Sequence, residues 1–166
     1  MSTETADDKA DEKTYRKALE VLFQTHGRTI QTKQTVFSEG DPGTEIFFIV
    51  SGAVSVYLGK GHSKRALWTL WAGEMFGEMA LLDQMPRSAS IEAALETRLV
   101  ALDRKTFNQL IGKYPILAQK VIELMGKRMR KMDTQFKLET GYLKDLPQEQ
   151  TYQPVNPAPK KPGAIR

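Results

Sequence analysis

The chain has 166 residues, 40% hydrophobic and 27% charged, which is enough apolar material for one core and too little length for a second large domain. It contains no cysteine, which excludes disulfide frameworks and thiolate metal or redox chemistry and fits a reducing cytoplasm. Its net charge of +4 is concentrated between Lys120 and Lys137 and at the C-terminal tip, away from aromatic side chains that could stack on bases, so nucleic acid is a poor fit.

The stretch Met1 to Lys13 is acidic and lacks the basic start and apolar run of a secretory signal, so residues 1–13 are predicted to be a disordered, solvated tail. From Lys13 to Thr25, Tyr15, Leu19, Val21, Leu22 and Phe23 recur at near-helical spacing and predict a short amphipathic helix. The character changes at Arg28. Val36 and Phe37 precede a dense turn signal, Ser38-Glu39-Gly40-Asp41-Pro42-Gly43, and then the β-rich run Ile46 to Val50. That run is the most apolar in the chain and falls far short of the roughly 20 residues a membrane helix needs. No membrane span is expected.

Val54, Val56 and Leu58 alternate with Ser55 and Tyr57, and Gly59-Lys60-Gly61-His62 separates them from Ala66 to Trp71. This predicts a hairpin. The glycine pair has no following Lys-Ser/Thr or helix start, so it reads as a turn and not as a phosphate loop. Strand material at Ser88 to Ala93 and Arg98 to Leu102 completes the pattern of a sandwich or barrel. The histidines, His26 and His62, stand far apart without ligand spacing and suggest no metal site.

After Asp103 the period becomes helical: Phe107, Leu110 and Ile111 predict a short helix, and the series from Ile116 through Val121, Met125, Met129 and Met132 to Phe136 predicts a longer one. Its Met and Leu stripe reads as core or as the seam of a homodimer. Prolines at 147, 154, 157, 159 and 162 then predict a disordered tail over 139–166, which leaves 14–138 as the folded domain.

Chemistry concentrates between Phe76 and Ile91. Gly77 permits a close backbone approach, and a helical turn from Glu78 to Leu82 offers unpaired N–H groups to an anion. Arg87, on the chain returning after Pro86, carries a fork of donors suited to a phosphodiester. Glu78 would repel a bare phosphate. It makes sense beside a ribose, whose 2′-hydroxyl can donate to a carboxylate. An ordinary Glu–Arg ion pair in a loop is the alternative for these two residues taken singly.

The whole segment, Phe76-Gly77-Glu78-Met79-Ala80-Leu81-Leu82-Asp83-Gln84-Met85-Pro86-Arg87-Ser88-Ala89, resembles the phosphate-binding cassette of the cyclic-nucleotide-binding domain family. Gly40-Asp41, Phe48 to Gly52 and Trp71 to Phe76 extend the resemblance upstream. It implies a mainly β fold, a jelly-roll β-barrel with a short N-terminal helix and C-terminal helices, that holds the nucleotide. It also implies that Glu78 accepts from the ribose 2′-hydroxyl and that Arg87 meets the exocyclic phosphate oxygens. Gly77, Met79, Ala80, Ser88 and Ala89 would then supply backbone N–H groups or close walls. Ser88 stands where members selective for cGMP often carry Thr, which favours cAMP. By position, Asp133 or Thr134 on the long helix would meet the adenine amino group.

No winged helix can form from the proline-rich residues that follow, and the cassette contains neither metal ligands nor a nucleophile with its base. The resulting expectation is a stand-alone, non-enzymatic cAMP sensor, with cGMP the other candidate ligand and no cofactor, that signals through contacts with an effector protein. The competing expectation is an interaction module that takes a cyclic dinucleotide or no ligand.

Overall fold

A computed structural model describes residues 6–59 and 61–139. Within them the helices are α1 (Ala6–His26), α2 (Glu78–Asp83), α3 (Arg104–Lys113) and α4 (Pro115–Glu139). The strands are β1 (Gly27–Ile30), β2 (Thr35–Phe37), β3 (Glu45–Ser51), β4 (Ala53–Leu58), β5 (Arg65–Trp71), β6 (Met75–Phe76), β7 (Ser90–Ala93) and β8 (Thr97–Asp103). The proline-rich segment from Gly141 and the first five residues lie outside the described part.

The strands form two four-stranded antiparallel sheets in the orders β1-β8-β3-β6 and β2-β7-β4-β5. This is the expected jelly-roll barrel with flanking helices. The expected hairpin is β4–β5, registered from Ala53↔Trp71 to Leu58↔Arg65 with an irregularity between Val56 and Tyr57.

The unbroken run Ile46 to Val50 follows from burial on both faces of β3. Phe47 and Ile49 join Val54, Leu70, Phe76, Ile91 and Leu99 in one buried cluster. Ile46 and Phe48 join Tyr15, Leu19, Met75, Leu81, Phe107, Leu117 and Val121 in a second, which brings the helices against the barrel. β8 does the same: Leu99 and Ala101 belong to the first cluster, Val100 and Leu102 to the second.

The helix α1 starts at Ala6 and not at Lys13, so the acidic stretch expected to be a tail is helical from Ala6 onward. Glu12 has partners that a solvated tail would lack: Arg16 Nε at 2.7 Å, one turn on, and Lys120 Nζ at 2.8 Å. Asp103 caps α3 by accepting from the Thr106 N–H at 2.7 Å, and Pro115 occupies the first position of α4, where its missing N–H costs nothing. No helix among the described residues is long and apolar enough to cross a membrane.

The chain divides into two units, Met1–Gly126 and Lys127–Arg166. The first holds the barrel, α1 to α3 and the start of α4. In the second, the remaining turns of α4 expose Met129, Met132, Phe136 and Leu138.

Candidate functional site

The short strand β6 pairs with β3 through Phe47↔Phe76 and Phe48↔Met75 and delivers the chain to Gly77. Gly77 caps α2 with φ of 79°, in the left-handed region that favours glycine. Space gives a second reason for glycine: a Cβ there would lie 2.7 Å from the Arg87 Nη1 and 3.1 Å from the Glu45 carbonyl oxygen. α2 is six residues long, with Glu78 in its first turn, and Gln84 ends it in a left-handed conformation of its own.

Glu78 and Arg87 are both buried, at 5% and 6% exposure, although ionisable side chains rarely are. Arg87 Nη1 donates to the carbonyl oxygens of Glu45 and Gly77, each at 2.9 Å. Its guanidinium lies 4.1 Å from the centre of the Phe37 ring and 5.6 Å from that of Phe47. Its Nε is buried with no acceptor among the described residues. Burial pulls the guanidinium down from its ordinary value, opposed by the charges of Glu45, Asp41 and Glu78. An arginine stays protonated all the same, so the site holds a buried cation with unspent donor capacity.

The main chain of Arg87 is fixed as well. Its N–H donates to the Asp41 carbonyl and its carbonyl accepts from the Gly40 N–H, both at 2.9 Å. The Gly40 to Gly43 turn therefore backs the cassette, and a Cβ on Gly43 would come within 2.4 Å of the Ala80 Cβ and 2.8 Å of Arg87 Nε.

Of the residues singled out from the sequence, Gly77, Glu78, Met79, Ala80, Arg87, Ser88 and Ala89 gather in this one segment around α2. Ala80 is buried, while Met79 and Ser88 are exposed and joined by a hydrogen bond of 3.6 Å from Ser88 Oγ to Met79 Sδ. Ala89 packs against the cluster between the sheets. Asp133 and Thr134 lie in the second unit, on an exposed part of α4. There Asp133 receives Lys137 Nζ at 2.7 Å, and Thr134 Oγ1 donates to the Arg130 carbonyl at 2.9 Å.

Sequence reasoning missed Phe37, the Glu45 carbonyl and the role of the Gly40–Gly43 turn. Phe37 packs in tilted ring contacts at centroid distances of 5.8 Å with Phe47 and 5.9 Å with Phe76, which builds an aromatic floor under the guanidinium. The dense glycine turn was the available signal, and only its function as a backing for the cassette went unread. A cavity of about 390 Å³ is lined by Gly43, Ala80, Leu81 and Pro86 among others, and not by Glu78, Arg87 or Ser88.

The profile of the family described as "Cyclic nucleotide-binding domain" matches residues 27–114, more than half of the chain. The chain belongs to the cyclic nucleotide-binding domain family. It is 38% identical over 104 residues to the cyclic AMP receptor protein of Thermus thermophilus, covering 62% of this chain and 48% of the receptor. It is also 38% identical over 95 residues to a cAMP-dependent protein kinase regulatory subunit of Colletotrichum orbiculare, covering 57% of this chain and 22% of the subunit. Among solved structures, the Thermus thermophilus catabolite activator protein superposes with a TM-score of 0.62 at 30% identity, over 79% of this chain and 59% of the other. The chain thus spans about half the length of the receptor it matches. What it shares with these relatives is the cyclic nucleotide-binding domain.

Proposed function

We propose that this domain binds cAMP through the segment Gly77 to Ala89 and converts binding into altered contacts with a partner protein. The observation that carries this reading is the buried Arg87, whose Nε has no acceptor among the described residues, next to a second buried ionisable group, Glu78. A buried cation with an unsatisfied donor calls for an anion, and a cyclic phosphodiester brings one negative charge with two exocyclic oxygens. Glu78 would supply the acceptor that a ribose 2′-hydroxyl needs, and the backbone of Met79 and Ala80 with the Ser88 hydroxyl, from the same segment, would complete the cradle. Two relatives carry cAMP in their names, which supports cAMP over other cyclic nucleotides. This role is that of a binding module, and it needs no cofactor.

Calorimetry with cAMP, cGMP and cyclic di-GMP tests the assignment. Tightest binding of cAMP is expected. Preference for cGMP would move the ligand, and a solved structure described as part of a cyclic-GMP-dependent signalling pathway, 26% identical with a TM-score of 0.53, makes that comparison worthwhile. Absence of binding to all three would leave the barrel as an interaction surface.

A second reading concerns assembly. Leu117, Val121, Leu124 and Met125 of α4 pack on the core, yet Ile122, Met129, Met132 and Phe136 remain 52 to 71% exposed on the same helix. With Met125 these residues recur at alternating intervals of three and four, which is the spacing of a two-helix seam, and they support a homodimer built on α4.

A further inference from the structure

Lys120 is half-hidden on α4, with its side chain only 14% exposed. Its Nζ lies 2.8 Å from Glu12 of α1, 3.2 Å from Glu123 of its own helix and 5.5 Å from the centre of the Tyr15 ring. Glu12 and Tyr15 do more than hold this lysine. Glu12 also takes Arg16 Nε at 2.7 Å, and Arg16 Nη2 donates to the Ala72 carbonyl at 3.3 Å. The Tyr15 hydroxyl donates to the Gly73 carbonyl at 3.2 Å.

Ala72 and Gly73 form the turn between β5 and β6. Gly73 has φ of 91°, and a Cβ on it would lie 3.1 Å from Arg16 Nη2 and 3.4 Å from Glu12 Oε1, so the α1 side chains press directly on this turn. The turn is closed by Gly73 N–H to the Ile49 carbonyl at 2.8 Å and Glu74 N–H to the Trp71 carbonyl at 2.9 Å. Only Glu74 and β6, two residues long, separate it from Gly77. So short a strand gives little slack: a shift of the turn is passed to the start of the cassette.

We infer that Lys120 is a positioning residue for the cassette, holding α1 against the Ala72–Gly73 turn through Glu12 and Tyr15 and so setting how β6 presents Gly77 and Glu78. The consequence for ligand affinity rests on the cAMP reading above. The consequence for the turn does not. Release of Lys120 from α1 loosens the chain that leads into the site, and binding at the site is in turn felt by α4, because linkage between two events is reciprocal.

The test uses the full chain with Lys120→Met, which keeps the apolar stem over Tyr15, with Lys120→Arg, which keeps the charge, and with Glu12→Gln alone and combined with Lys120→Met. Hydrogen exchange without ligand is expected to quicken at the amides of Gly73 and Glu74 in Lys120→Met and to stay near the parent rate in Lys120→Arg. cAMP affinity is expected to fall about fivefold or more in Lys120→Met, with Glu12→Gln adding little in that background. Parent-like exchange at Gly73 and Glu74 overturns the proposal. So does quickened exchange with undiminished cAMP affinity. If the parent itself does not bind cAMP, the ligand reading fails, and the exchange result still decides whether Lys120 positions the turn.

Discussion

The guanidinium of Arg87 rests 4.1 Å from the centre of the Phe37 ring, while its Nη1 is tied to two backbone carbonyls. One face and one nitrogen are thus committed to the protein, which leaves the rest of the fork aimed by its surroundings before any ligand arrives. Replacing Phe37 by Leu removes a cation–π contact worth about 0.5 to 2 kcal/mol and frees the guanidinium to turn. The expected outcome is weaker cAMP binding with a smaller difference between the two phosphorothioate diastereomers of cAMP. A change in stability alone would not alter that diastereomer ratio, so an unchanged ratio assigns Phe37 to packing only.

Arg87→Ala should abolish or greatly weaken binding, since truncating one member of a buried, charge-assisted contact costs about 2 to 5 kcal/mol. Glu78→Ala should cost less and should narrow the preference for cAMP over 2′-deoxy-cAMP. Calorimetry on both variants checks this, and parent-like affinity in both would remove the cassette as the binding site.

Gly77→Ala is expected to destabilise the protein by more than about 1 kcal/mol, because the left-handed backbone resists a side chain and the new methyl meets the Arg87 guanidinium at 2.7 Å. Denaturant unfolding reads the loss. Gly112 offers the control, since nothing stands within 4 Å of a Cβ placed there and it lies inside α3, where Ala is the better helix former.

Burial pushes the Glu12 carboxyl up, but Lys120 and then Arg16 outweigh it and hold it below the usual carboxylate range. Burial pulls Lys120 down, and Glu12 and Glu123 more than restore it. A carboxyl whose folded value is depressed contributes stability that is complete above its unfolded value and is lost as pH falls through the folded one. The contribution of the Glu12–Lys120 pair should therefore persist through neutral pH and fade below about pH 4. Thermal unfolding of the parent and Glu12→Gln from pH 7 to pH 3 should show the two curves converging at the acid end. A gap that widens towards acid would contradict the assignment.

Ligand is expected to protect two stretches from hydrogen exchange, residues 77–89 and 125–136. Protection of the first alone would mean that α4 does not respond. Met129→Glu places a charge on the exposed stripe of α4 and should turn a dimer into a monomer by light scattering. A parent that is already monomeric with and without ligand removes the dimer.

The cassette was legible because its parts are neighbours in the chain: Gly77, Glu78, Arg87 and Ser88 fall within a dozen residues, and their types make sense together. The strands with strong patterns were legible for the same local reason. β1, a short Gly-Arg-Thr-Ile stretch, and β6, two residues long, carry no period to detect and exist because β8 and β3 offer them partners. Phe37 and the Glu45 carbonyl reach Arg87 through the fold from far upstream, and a carbonyl has no signature in a sequence at all. The start of α1 was misread because acidic composition suggests solvation, and the partner that draws Glu12 in, Lys120, lies more than a hundred residues away.

β3 is a wall with two tenants. Phe47 and Ile49 look towards the cluster that carries the arginine's aromatic floor, while Ile46 and Phe48, one position out of step, look towards the helices. Changes to the second pair would alter how firmly the helices sit and, through Met75 and Leu81 of the same cluster, would also reach β6 and α2. For anyone building a cyclic-nucleotide reporter from this scaffold, that alternation supplies two dials on one seven-residue strand, one set against the arginine's aromatic floor and one against the helices that lean on β6.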